Sequence, residues 1–493
     1  MSRRIPRVFR KTAQAAASIA RVGSTGSTGS TGSIVPFASI EQSVPFVSIV
    51  RWVSVVAIVL IGWIGGVARA NPADSYGLGA RAPAMGSAYA AVADDTAAAY
   101  YNPAGLARSS DLRIDLGYQL ARPVLNVSGQ PQDLMDSRGL TVGILLPGRL
   151  LGLRFAFGVT LFLPDQQATR IRVLSFDRPR LQLYENRAQR MFFAANLALH
   201  IYRGLYIGGG LTFMSRSKGV VYLRGRVALS DPEESALESS VDVNLLAIRY
   251  PQVGLLFEAT RNLSFALVYR HKFLLELEQG FNINGDVADA GKDPLIKDAR
   301  FNEVAYSVDL FQPWQIIAGV AARFASVLVS FDLTYSRWSE QPPPAARITL
   351  EVDVGRFNDL VKLAPSRPYP DPGFFDTLMP AVGVEWRALQ NAASGRLAVD
   401  LRGGYRYEPS PVPEQDGESS FGDSDRHIIS LGLGFELSRL TQVLQKPIAI
   451  DLFGAFTHVP LRRFRKLDPR SLVGDFTVGG QVWQVGGQLR WRF

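Results

Sequence analysis

"ASVLVSFDLTYSRW", residues 325–338, alternates along most of its length. Val327, Val329, Phe331, Leu333 and Tyr335 form one apolar row, and Ser326, Ser330, Asp332, Thr334 and Ser336 form the other. A period of two marks an extended strand with unlike faces. One face calls for lipid or a core, and the other tolerates water.

The same rhythm returns in "RLAVDLRGGYRY", residues 396–407, where Leu397, Val399, Leu401, Tyr405 and Tyr407 oppose Arg396, Asp400, Arg402 and Arg406. It returns at the chain end, where Trp483, Val485, Leu489, Trp491 and Phe493 oppose Gln484, Gln488, Arg490 and Arg492. Charges this dense cannot face a sealed core without partners. They predict a water-accessible lumen, and the apolar exterior then requires lipid. Applied along the chain, the pattern gives about 14 strands, from residues 111–127 to 480–493 and including 204–215 and 261–279, an even number as a single-chain barrel needs. Connections alternate between short and long, as periplasmic turns alternate with external loops, and Trp338 is predicted at an outer aromatic girdle. The predicted fold is therefore all-β: a 14-stranded antiparallel transmembrane β-barrel over 111–493, with a soluble sandwich as the alternative.

The formal charge of +9 belongs to the leader: residues 1–70 hold eight basic residues against Glu41, leaving about +2 for the rest. No basic, aromatic-laced face remains for nucleic acid. Within residues 1–70, "VSVVAIVLIGWIGGV" (53–67) lies between Arg51 and "ARA", the pattern of a secretory signal cleaved after Ala70; an uncleaved anchor is the alternative. Ahead of it, "GSTGSTGSTGS" (23–33) is a low-complexity repeat that cannot bury a core. With no cysteine, neither disulfides nor thiolate metal sites are available.

Residues 71–110 do not alternate. Small residues, Ala-rich pieces and the breakers Pro83 and Pro103 describe a compact, partly helical segment with too little apolar bulk to stand alone, so it is predicted to be a hatch inside the lumen. Its core, "GSAYAAVADDTAAAYYNPAGLA" (86–107), resembles the N-terminal signature of the FadL/TodX family of outer-membrane transporters of hydrophobic compounds. "VSFDLTYSRWS" (329–339), "GYRYEPSPVPE" (404–414) and "DSDRHIISLGLGFEL" (423–437) are similar to later segments of that family, in the same order.

The resemblance implies passive uptake of hydrophobic molecules, long-chain fatty acids or hydrocarbons, through the outer membrane of a Gram-negative bacterium. It implies release sideways through a gap in the wall beside the third strand, with Asn102, Pro103, Ala104 and Gly105 as the hatch motif. Partners are then a hydrophobic small molecule and outer-membrane lipid and lipopolysaccharide, for a monomer with no cofactor, no metal and no bond chemistry. A lateral gap needs a break in strand pairing, which Pro or Gly supplies. Pro164 is the first candidate and Gly158 its rival. By strand parity Arg216, Lys218, Arg224 and Arg226 face inward and could hold a substrate carboxylate, or be solvated charges on an external loop. The adjacent Asp94 and Asp95 are read as a helix cap or partners of lumen arginines rather than a paired-carboxylate site. Two other functions stand beside transport: a secretion-system or protein-partner barrel, and a lipid hydrolase using Ser424, Asp425 and His427, for which no nucleophile elbow is present.

Overall fold

The computed structural model describes residues 72–150, 152–165, 178–185, 191–228, 236–288, 296–343, 347–355, 358, 371–391, 396–439 and 446–493; the leader predicted over 1–70 lies outside them. The first wall strands are β1 (Arg113–Val127), β2 (Ser137–Leu150), β3 (Leu153–Pro164), β4 (Phe192–Tyr202), β5 (Leu205–Ala228) and β6 (Ala236–Glu258). They continue as β7 (Leu263–Arg270), β8 (Gln315–Phe324), β9 (Val327–Ser336) and β10 (Thr377–Asn391). The last four are β11 (Leu397–Glu408), β12 (Arg426–Leu437), β13 (Ile448–Phe464) and β14 (Phe476–Arg492). Each strand pairs antiparallel with the next, and β14 returns to β1 from Arg113↔Arg492 to Val127↔Val478, so fourteen strands close a ring. Closure satisfies every wall strand's backbone without an edge, which hydrocarbon demands. Tight turns join β2 to β3, β4 to β5, β6 to β7 and β8 to β9, and the connections after β3, β7, β9 and β11 are long, as the sequence predicts. Those after β5 and β13, predicted long as well, shrink to residues 229–235 and 465–475 because the flanking strands run further than the alternation alone suggests.

The alternation in 325–338 is realised in β9: Phe331 and Leu333 are 44% and 37% exposed, while Ser330 and Asp332 are 1% and 4%. Outward rows on β7, β10 and β12 repeat it with Phe265 and Leu267, Val382 and Val384, and Leu431 and Leu433. Two expectations need correction. Trp338 does not line an outer girdle; it is buried in a 3-10 turn, Trp338–Glu340, against Phe311 and Phe374. At the exposed rim, Tyr269, Trp314 and Tyr335 cluster instead. The inward charges of β10, β11, β13 and β14 are not bathed in an open lumen: Glu385, Arg402, Asp451 and Arg490 are buried and satisfied by one another.

The predicted strand 261–279 breaks at Arg270. The chain resumes as Phe273–Ala288, which pairs parallel with β5 from Lys218 to Ala228 and antiparallel with Ile296–Gln312; the latter pairs with Arg347–Asp353. These strands and the outer halves of β5 and β6 build a sheet beyond the wall. Alternation marks strands of the annex and of the wall alike, so it cannot tell one from the other.

Three short helices, α1 (Pro72–Tyr76), α2 (Arg81–Ala84) and α3 (Ala98–Tyr101), and a 3-10 turn, Pro103–Arg108, precede β1. Nearly all of their residues are buried, and they and the links between them bond to inward side chains of β4, β6, β9, β10, β12 and β14. Too short to persist alone, the helices are held by the wall around them.

Candidate functional site: the lumen and its hatch

Pro103 has φ fixed near about −65° and no N–H, which suits the first position of a helical turn. The preceding Asn102 caps that turn, its Oδ1 accepting the Ala104 N–H at 3.1 Å. Its Nδ2 donates to the carbonyls of Ala90 (2.9 Å) and Leu255 on β6 (3.1 Å), so one fully buried amide ties two pieces of the N-terminal segment to the wall. The Gly105 N–H closes the turn onto the Asn102 carbonyl at 3.0 Å. The wall is cut away to receive this motif. A Cβ on Gly208 of β5 would collide with the Pro103 backbone, and one on Gly254 of β6 with the Asn102 amide. Asn196 on β4 and Gln252 on β6 both donate to the Ala99 carbonyl, the first at 2.8 Å. Contact on this side is made by small residues, neutral amides and one part-exposed ion pair, Arg108 with Glu258 of β6 at 2.9 Å, backed by Tyr89, Tyr100, Tyr101, Leu106, Phe162 and Phe192 in one buried apolar cluster.

The opposite side is ionic. Arg81 of α2 makes a two-pronged contact with Glu385 of β10 (2.7 and 2.8 Å) and a third with Asp94 (2.7 Å). Arg402 of β11 bridges Glu385 and Asp451, and Asp451 also holds Arg490. Arg387 pairs with Asp400 at 2.7 Å. Burial raises the Asp94 carboxyl, but Arg81, Arg113 and Arg108 outweigh it and hold the group well below the usual carboxylate range. Asp95 accepts the Ala97 N–H at 3.1 Å and the Tyr89 hydroxyl at 2.8 Å. Of the two roles expected of the adjacent acids, Asp94 takes the arginine partnership, with Arg81 of its own segment rather than a wall arginine, whereas Asp95 caps no helix: α3 has Ala97 at its N-cap, without a side-chain bond. A cavity of about 300 Å³ opens beside this network, lined in part by Arg81, Asp94, Arg323, Arg387 and Arg492.

Outward of α1 lies a second apolar cluster. Tyr76, Leu125, Leu183, Tyr184, Phe374, Val412, Phe421, Phe464, Phe476 and Val482 bring together β1, β13, β14 and the long external loops. Its floor is polar. Arg406 and Arg426 both reach Glu408, at 2.9 and 2.7 Å, and Arg426 faces Asp423 at 3.4 Å. A cavity of about 50 Å³ there is lined by Asp74, Tyr76, Leu183, Tyr184, Arg406, Glu408, Arg426 and Val482 among others. Burial raises the Asp423 carboxyl above its ordinary range against the opposing pull of Arg426. It also pushes the Tyr184 phenol up to about 12.

Among the residues singled out in the sequence, Asn102 to Gly105 come together at one docking point, on β5 and β6, with Leu106 reaching β3. Pro164 ends β3: its last partner is Gly139 on β2, and the pairing of β3 with β4 already stops at Phe162↔Phe192. Gly158 is no interruption. It pairs with Leu145 and Asn196 inside an unshifted ladder, and its missing side chain makes room for Leu106. Arg216, Lys218, Arg224 and Arg226 all stand on the part of β5 beyond its pairing with β4, but of the four only the Arg224 side chain is among those described. Arg224 is exposed and lines a polar groove of about 460 Å³ with Tyr222, Asn282, Asn284 and Arg300, in the annex rather than at the apolar cluster. Ser424 is buried, whereas His427 bonds the Tyr405 hydroxyl at 2.8 Å and Asp425 the Tyr407 hydroxyl at 2.6 Å, so the three do not form a relay. The floor residues Glu408 and Arg426 escaped notice in the sequence. The signal was there: Glu408 shares the inward parity of Arg402 and Arg406, and Arg426 opens a strand.

The family described as outer membrane protein transport protein (OMPP1/FadL/TodX) matches residues 68–445. The chain is similar to the crystal structure of a Pseudomonas aeruginosa FadL homologue, with a TM-score of 0.52 and 14% identity over 84% of this chain and 97% of that one, a likeness of fold. It is also 24% identical over 199 residues to alkane uptake protein A of Marinobacter nauticus, a match that spans 40% of this chain and 40% of that relative's length. A closed fourteen-stranded wall with an internal helical segment and a family match over most of the chain leave one placement: the protein belongs to the OMPP1/FadL/TodX family of outer membrane transport proteins, barrels of the Gram-negative outer membrane.

Proposed function

We propose that the protein is a passive channel carrying hydrophobic small molecules, hydrocarbons or fatty acids, into the outer membrane, with residues 71–110 as its hatch and the exit sideways between β3 and β4. The observation that carries this reading is the two-sided seating of the hatch. Toward β10 it is fixed by the buried ion pair of Arg81 with Glu385, itself part of the wall's ionic network, while toward β3 to β6 it rests on glycines, amides and apolar rings, with one ion pair, Arg108 with Glu258, at a part-exposed end. Separating paired charges in a dry site is costly, whereas neutral packing is undone by a ligand that replaces the same contacts. Ligand from the outer apolar cluster therefore displaces the Asn102 to Leu106 side and leaves the side held by Arg81 and Glu385 in place.

The exit is assigned to the point where β3 and β4 part. Beyond Phe162↔Phe192 no described residue continues that ladder, and Pro164 lacks the N–H that would extend it. Phe162 and Phe192, both fully buried, are the last barrier there between the lumen cluster and the wall's outer face. The test replaces Pro164 with Thr and Phe162 with Trp in separate variants, checks each barrel by heat-modifiable gel mobility, and follows labelled alkane and oleate entering cells. Uptake drops at least several-fold for either ligand class; unchanged uptake in assembled variants would place the exit elsewhere.

A further inference from the structure

A chamber that is to accept a carboxylate needs a cation whose charge is not already spent. Below the outer apolar cluster, the two guanidiniums are already engaged. Glu408 stands between Arg406 and Arg426, within 2.9 Å of one and 2.7 Å of the other, and Asp423 faces Arg426 from the adjoining loop. Two cations are thus matched by Glu408 and Asp423, with Asp74 a further carboxylate in the lining, around a space of about 50 Å³, room for little more than a water molecule. The walls immediately above are Tyr76, Leu183, Tyr184 and Val482.

We propose that Glu408 is a specificity residue: by neutralising Arg406 and Arg426 at the floor of the apolar chamber, it makes the channel select neutral hydrocarbons over carboxylates. The inference rests on the transport reading above. An incoming carboxylate would lose its hydration among aromatic rings and meet Glu408 at the only cations within reach of that floor cavity among the described residues. A hydrocarbon loses nothing by the same move, since it has no charge to desolvate. Removing the Glu408 charge reverses the preference. The Arg406 Nε, buried and without a hydrogen-bond partner, would then stand with Arg426 as a ready seat for a carboxylate.

The test compares retention of deuterated decane and decanoate at pH 8 by the full-length protein in detergent, each measured against empty micelles by mass spectrometry. The wild-type protein retains decane at least tenfold better than decanoate. Glu408→Gln moves that ratio at least tenfold toward decanoate, and Asp423→Asn moves it in the same direction by a smaller factor, providing a second reading if Glu408→Gln fails to assemble. Decanoate held as well as decane by the wild type, or an assembled Glu408→Gln with an unaltered ratio, overturns the proposal. If the wild type retains neither compound, the transport reading itself fails.

Discussion

Replacing Asn102 with Ala is the most direct test of the hatch. The amide of Asn102 satisfies three buried backbone groups: the carbonyls of Ala90 and Leu255 and the N–H of Ala104. Truncation leaves all three without that partner in a site sealed from water, at about 1 to 3 kcal/mol for each unsatisfied group. Partial relaxation recovers some of this, so a loss of about 3 to 6 kcal/mol in hatch docking is a working range. At about 1.4 kcal/mol per tenfold, the ratio of closed to open hatch falls by about two to four orders of magnitude. The wall strands keep their own ladders and do not need Asn102, so the barrel still assembles. Planar-bilayer recordings should show a higher open probability, and cells should leak a chromogenic β-lactam. Gly208→Val approaches the same contact from the wall side, through its collision with the Pro103 backbone, and should give the same phenotype. An Asn102→Ala barrel that migrates as folded and conducts no more than wild type would refute the docking argument.

Further outcomes follow from the same geometry. Arg81→Ala removes a guanidinium shared by Glu385 and Asp94, and should lower the heat-unfolding midpoint by an amount corresponding to about 3 to 5 kcal/mol. A double-mutant cycle with Glu385→Ala should return a coupling of about 0.5 to 3 kcal/mol, and strict additivity would remove the pair from the latch. The Asp94 carboxyl is depressed by its arginines, so its contribution is complete above the unfolded-state value of about 3.9 and is lost as pH falls through the lower folded value. The coupling between Arg81 and Asp94, read from a double-mutant cycle at each pH, should therefore stay constant from about pH 5 to 8 and weaken only in stronger acid, and a coupling lost near neutrality would contradict that assignment. Deleting residues 71–110 should leave an assembled barrel that passes small polar solutes, and bilayer conductance no higher than wild type would end the plug assignment.

Much of the wall was legible in the chain because a strand between lipid and a polar interior writes its two environments into alternate residues. Phe331 against Asp332 or Leu401 against Arg402 needed no tertiary information. The segment around Asn102 was legible for another reason: short helices broken by proline, with too little apolar bulk for a core of their own, cannot fold without a host. What the chain could not disclose was the identity of the partners. Gly158 and Pro164 are both residues that break strands, yet one makes room for Leu106 inside an intact ladder and the other ends one, a difference set by what packs on either side. Arg224 and Arg406 share inward parity on their strands, yet one opens onto an external groove and the other onto Glu408 beneath an apolar chamber. Parity fixes the face of a strand to which a side chain belongs; how far the wall rises, which loops fold back, and which charges meet across the lumen are long-range contacts that only the closed ring decides.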